Sequence, residues 1–163
     1  MDWLSVWGDV MRAVIVAILA MVPLAAKADW QYSKWGMNPA QVIEAARGAA
    51  TPFQDSSETA DQRSKVVAPY QSGRHTFRSR FVFDRSDRLS IVMLELSDPS
   101  RCPELYADLT QAYGPPQAKS PQGYFPKWWD RKNGNVVTLV DMVRTICSIQ
   151  YMPLGEAGTP GGL

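Results

Sequence analysis

Residues 75–84, His-Thr-Phe-Arg-Ser-Arg-Phe-Val-Phe-Asp, alternate so regularly that only an extended chain satisfies them. His75, Phe77, Ser79, Phe81 and Phe83 fall on one side of such a strand, and Thr76, Arg78, Arg80, Val82 and Asp84 on the other. A helix would scatter the three phenylalanines around its circumference; a strand delivers them to one core. After a turn at 85–88, the segment Leu89–Leu96 is apolar on both faces, as a central strand beneath a helix should be. The two segments together demand an antiparallel sheet with one well-buried face.

Two helices flank this region in sequence. Asn38 is a good N-cap, Pro39 suits the first helical position, Gln41 completes a capping box and Gly48 is a ready C-terminal stop. Val42, Ile43, Ala46 and the preceding Met37 form its apolar stripe, with Glu44 and Arg47 outside. Trp35 and Gly36 read as the turn and hydrophobic anchor leading into it. The second helix is expected over 100–113, with Leu105, Tyr106, Leu109, Ala112 and Tyr113 at helical spacing and Gly114-Pro115-Pro116 ending it. Between the first helix and Val66 lies a polar stretch, 49–65, expected as a long loop holding at most a helical turn.

Three more strands follow, at about 124–130, 135–141 and 145–152, the first two joined by Asn133-Gly134, a strong hairpin signal. The segments 81–92 and 127–140 echo one another: aromatic strand, Asp-Arg, turn, apolar strand. The expected fold class is α+β, with two helix-plus-antiparallel-meander halves in the order α-βββ-α-βββ and both helices on one face of the sheet.

Cys102 and Cys147 are the only cysteines, so they are the only possible pair. The alternatives, a redox or zinc site, fit poorly: the spacing is not C-x-x-C, and the chain has a single histidine. A disulfide would tie the first turn of the second helix to the face of the last strand that carries Ile149 and Tyr151.

At the N-terminus, 13–26 is an unbroken apolar run closed by Ala26-Lys27-Ala28. A membrane span needs about 20 apolar residues, whereas a signal segment needs about 7 to 15 before a small-residue cleavage site. Residues 1–28 are therefore expected to be a signal peptide, with an uncleaved anchor as the alternative. Asp2 and Asp9 do not suit the positive flank such a peptide requires, and Met11, followed by Arg12, makes a better start. Residues 29–153 are expected to form one α+β domain, and the Gly- and Pro-rich 154–163 a disordered tail. Cleavage would remove two basic and two acidic residues from totals of 17 and 16, leaving the balance at +1. Nothing in that balance favours nucleic acid, whose binders present strongly basic faces. After cleavage no membrane-spanning segment would be left, and the sequence carries no signal for an oligomeric state.

Catalytic patterns are sparse. The chain has no G-x-S-x-G, glycine-rich phosphate loop or H-E-x-x-H, and its one histidine, His75, sits on an aromatic strand face. No cofactor or metal is expected. Binding features are better represented. Trp128 and Trp129 are adjacent in a strand, so their side chains point to opposite faces and at most one is core. The other either packs beneath the loop before it or serves as an exposed anchor for a partner. Arg78 and Arg80, with Arg74 nearby, could meet an acidic partner or simply confer solubility.

The helix start Gly36-Met37-x-Pro39-x-x-Val42 and the helix exit Leu109-x-x-x-Tyr113-Gly114-x-Pro116 resemble short motifs of exported bacterial helix-plus-sheet modules: the small SmpA/OmlA-type envelope proteins and the tandem modules of β-lactamase inhibitor proteins. The resemblance covers 35–48 and 102–116. Members of those groups act by binding other proteins, which implies the same here. No cysteine follows the expected cleavage point, so the resemblance does not extend to the lipid anchor of SmpA/OmlA-type proteins. The expected function is that of an exported, periplasmic, non-enzymatic binding protein with an envelope protein as partner. The alternative is a small envelope hydrolase using carboxylates assembled in space. If Ala26 and Ala28 are the residues the peptidase reads, the exported protein begins at Asp29. Intact-mass measurement should give the mass of the chain from Asp29, and a mass retaining the apolar run would mean an anchor instead.

Overall fold

The computed structural model describes residues 29–54, 63–119, 125–142 and 145–155. The expected signal segment and residues 156–163 of the expected tail lie outside the described residues. Leu154, expected as the first tail residue, is still tied in, its N–H donating to Gly134 O at 2.8 Å.

A short hairpin, β1 (Asp29–Trp30) and β2 (Ser33–Lys34), leads into helix α1 (Pro39–Ala45). The capping box forms as the residue types require: Asn38 accepts from Gln41 N, and the Gln41 side chain accepts from Asn38 N. Gly36 N–H donates to Leu89 O and Leu89 N–H to Met37 O, which pins the approach to α1 onto the sheet. Trp35 Nε1 donates to Asn135 Oδ1 at 3.1 Å, fastening the anchor to a residue 100 positions away.

The 49–65 stretch is not all loop. Thr51–Pro52 forms β3 against β4 (Ser64–Ser72), and Phe53 N–H donates to Lys65 O. Residues 55–62 lie outside the described residues. Next come β5 (His75–Phe83) and β6 (Leu89–Leu96), both as the alternation predicts. On β5, His75, Phe77, Ser79, Phe81 and Phe83 are all buried, while Thr76 and Arg78 are exposed. Val82 departs from the simple alternation and is buried on the opposite face.

A 3-10 turn, Pro99–Arg101, precedes α2 (Cys102–Tyr113), which stops at Gly114 with φ +80°. Strands β7 (Ala118–Lys119), β8 (Pro126–Asp130), β9 (Asn135–Met142) and β10 (Ile146–Pro153) complete the chain. Tyr124, expected to open β8, lies outside the described residues. The β8–β9 turn uses Gly134 at φ +65°, where a side chain would be strained.

The main strands form one antiparallel sheet of eight, in the order β3-β4-β5-β6-β10-β9-β8-β7. Among the described residues the fold is thus α+β with two α-helices and one disulfide, but the sheet dominates. Four strands rather than three follow each helix, the first in each case only two residues long. Those two-residue strands are too short to show a period.

Both helices bury their apolar stripes on the same side of the sheet. Val42 of α1, Ala46 at its C-cap, and Leu105 and Leu109 of α2 share one core with Phe77, Phe81, Leu94, Ile149 and Trp128. Fully burying side chains of this size contributes about 1.5–3 kcal/mol each. Cys102 and Cys147 are bonded, with their Cα atoms 5.8 Å apart, so the first turn of α2 is clamped to β10 as expected. Closing a loop of sequence separation 45 stabilises by about 4 kcal/mol on the chain-entropy model. Thiol titration of the non-reduced, denatured protein should find no free thiol, and Cys147→Ser should lower the denaturant midpoint by the equivalent of about 2 to 4 kcal/mol. Two titratable thiols would refute the pairing.

Candidate functional site

The sheet face opposite the helices is assembled by register. Arg78, Glu95, Ser148 and Val140 stand in one row across β5, β6, β10 and β9; Arg80, Met93, Gln150, Thr138 and Lys127 stand in the next, which also reaches β8. Trp129 lies opposite Val136, which lies opposite Met152. No described helix covers this face.

The tryptophan pair divides as the strand geometry requires. Trp128 is fully buried on the helix side, its Nε1 donating to Gly114 O at 2.9 Å. Trp129 is half-buried on the helix-free side. Its backbone N–H donates to the Gln117 side chain at 2.7 Å, and its indole Nε1 is buried without a partner. Gln117 belongs to the Gly-Pro-rich loop expected to cover this tryptophan, and residues 120–124 of that loop lie outside the described residues.

The three arginines do not act as one group. Arg80 is half-buried and ion-paired with Glu95 at 2.9 Å, and its Nε donates to Ser64 Oγ. Arg78 is exposed and forms no ion pair with a described residue; its guanidinium lies 4.7 Å above the Phe53 ring centroid. Arg74 is on the other side of the sheet, held by Asp108 of α2 at 2.8 Å. It sits at the start of the β5 hairpin beside the helix, so it does not join Arg78 and Arg80.

On the helix side, the Nε2 of buried His75 is 2.8 Å from Asp108 Oδ2, and its Nδ1 is buried without a partner. His75 and Asp108 line a cavity of about 250 Å³ between α2 and the sheet, together with Tyr70, Tyr113 and Tyr151. The hydrogen bond from His75, with those from Arg74, holds the Asp108 carboxyl below its ordinary range. Arg101 does the same for Glu104. Burial raises both the Tyr113 and the Tyr151 hydroxyl above the usual phenol range, so both stay protonated at neutral pH. Sequence reasoning passed over Asp108. Its one signal was the polar stripe Arg101, Glu104 and Asp108 at helical spacing, which reads equally well as a solvated helix face.

Asp84, Asp98, Glu104 and Asp108 are each held down by hydrogen bonds or nearby cations. A general acid for glycoside hydrolysis needs a carboxyl raised toward neutral pH, so these four are unsuited to that one role. Among the described residues no group of three or more metal-ligating side chains forms, and no helix is long and apolar enough to cross a membrane.

Because Asp108 titrates lower in the folded chain, its contribution to stability is fully present above the ordinary carboxylate pKa of about 3.9 and is lost as the pH falls through the depressed folded value. Thermal melts from neutral to strongly acidic pH should show a decline at the acid end that is shallower in Asp108→Asn, and shallower in both proteins at high salt. Identical acid limbs would show that this cluster adds nothing to stability. No protein-family model, curated protein or solved structure matches this chain.

Proposed function

We propose that the protein is an exported, non-enzymatic binding protein that docks an envelope protein on the helix-free face of its sheet. The observation that carries this reading is the composition of that face. An antiparallel sheet that merely meets water presents polar residues at its outward positions. Here Ile91, Met93, Val140, Met152 and Trp129 stand there half-buried. Partly exposed apolar and aromatic side chains gathered on one surface mark interfaces.

Charge gives the partner its character. Glu95 is neutralised by Arg80, while Arg78 and Lys127 pair with no described carboxylate, so the face is net positive and suits an acidic rim on the partner. The Phe53 ring beneath the Arg78 guanidinium restrains that side chain, which lowers the cost in side-chain freedom of engaging a partner. The finer reading of the fold belongs to the same proposal: two helix-plus-meander halves fused along β6 and β10, like the tandem modules that the helix-start and helix-exit motifs resemble. The repeated aromatic strand, Asp-Arg, turn, apolar strand supports it. Export is supported by the apolar N-terminal run and by a disulfide of the kind that persists in an oxidising compartment.

Trp129→Ala and Arg78→Ala should each weaken capture of the partner from envelope extract by about 1 to 3 kcal/mol with the fold intact, whereas Glu44→Ala on α1 should bind as the parent does. Quantitative pull-down with the melting temperature as a folding check decides it. Full capture by both variants, or turnover of an envelope substrate abolished by a single carboxylate substitution, would overturn the reading.

A further inference from the structure

A second cavity, of about 350 Å³, adjoins the His75 cavity on the helix side and shares Tyr70, Ser72, Tyr113 and Tyr151 with it. It is enclosed by the β1–β2 turn, the ends of β4 and α2, and the β8–β9 turn. Its chemistry differs from that of its neighbour, because amide, carboxylate and hydroxyl groups converge on it beside aromatic rings.

The donors and acceptors can be counted. Asn135 is 2% exposed and its side-chain oxygen accepts from Trp35 Nε1. An indole N–H can only donate, so the bonded atom is the oxygen, and the Asn135 Nδ2 keeps two N–H donors with no partner among the described residues. A buried, unspent amide donor at a cavity wall calls for a ligand acceptor. Asp130 accepts from Asn133 N on one oxygen and from Asn133 Nδ2 on the other, at 3.1 and 2.6 Å, with lone pairs left on both. Tyr70 accepts from Gln31 Nε2 at 3.1 Å, which leaves its own O–H to donate. Gln31 reaches it from φ +53°, the conformation that the first position of the two-residue β1–β2 turn takes.

Trp30, Tyr70 and Tyr151 border the cavity with their rings packed edge-on or tilted against one another, at 5.1 and 6.3 Å from Trp30, so the space is met chiefly by polar atoms. Asp130 is the one charged group among the described residues lining this cavity, so an anion would meet a like charge and no counter-charge. A cation would satisfy Asp130 but not the Asn135 amide and Tyr70 hydroxyl donors, whereas a neutral molecule whose hydroxyls both donate and accept satisfies all three. We propose that this cavity binds a neutral saccharide of one or two rings, held by Asp130, Asn133, Asn135 and Tyr70. The volume is at the low end of small-molecule sites, which run from about 300 to 1,000 Å³. This site lies across the sheet from the proposed protein-docking face and does not rest on it.

The exported protein, titrated with maltose, cellobiose and N,N′-diacetylchitobiose, should show saturable changes in tryptophan fluorescence and in the NMR signals of the Asn133 and Asn135 side-chain amides for at least one sugar. Sedimentation with insoluble peptidoglycan is the second arm, and separates a polymer-borne glycan from a free sugar as the source. Ser72→Trp, which fills the space common to both cavities, should abolish binding. Tyr70→Phe, which removes one hydroxyl and little else, should weaken it about tenfold. Glu44→Ala should leave it unchanged. Saturable binding in either arm that is lost in Ser72→Trp upholds the proposal. Failure of all three sugars and of peptidoglycan overturns it, as does binding that survives both Ser72→Trp and Tyr70→Phe unchanged.

Discussion

The antiparallel pairing of β6 with β10 is the junction on which the rest of the molecule depends. Leu94 stands opposite Ile149, and Val92 opposite Tyr151, so the strand that closes the first half of the sheet lies against the strand that closes the second. Without this pair the eight strands become two separate ribbons, each with an unprotected apolar face. The disulfide reinforces the same seam from above, since α2 is covalently held to β10 and covers the core beneath it. The junction joins residues more than 50 positions apart, so it forms only after substantial loop closure. The disulfide removes part of that closure entropy from the unfolded chain.

What could be read from the residues alone follows the range of the interaction that holds them. The capping box of α1, the exact span of Leu89–Leu96, the Asn133-Gly134 turn and the Gly114 stop are set by neighbours within a few positions, and they appear where the pattern puts them. The hairpin at Asp29–Lys34 and the short strands at Thr51–Pro52 and Ala118–Lys119 escaped. Two residues carry no period, and these segments are extended only because a distant strand supplies the hydrogen-bond ladder. The cysteine pair was legible by arithmetic, because there was no second choice.

The site residues divide the same way. That at most one of Trp128 and Trp129 could be core followed from strand geometry; that Trp128 is depended on where α2 and Gly114 came to rest. Arg74, Arg78 and Arg80 look alike in sequence but meet different fates: Arg74 belongs to an ion-pair cluster on α2, while Arg78 and Arg80 both lie over the Phe53 ring and Arg80 is in addition locked to Glu95. The links His75–Asp108, Trp35–Asn135 and Gln31–Tyr70 span 33, 100 and 39 positions. No local pattern encodes such pairs, so the helix-side cavities became visible only once the sheet had brought their parts together.

The brevity of the two outermost strands has a consequence for self-association. A sheet that ends in a long flat strand offers a free ladder of N–H and C=O groups on which another chain can polymerise. This one ends in Thr51–Pro52 on one side and Ala118–Lys119 on the other. Proline withholds a donor and lysine carries a charge, both common means of blunting such a boundary. Each of these two ends therefore offers a ladder only two residues long, and any capacity of the sheet for strand addition lies in the flanks of β4 and β8 that they leave uncovered.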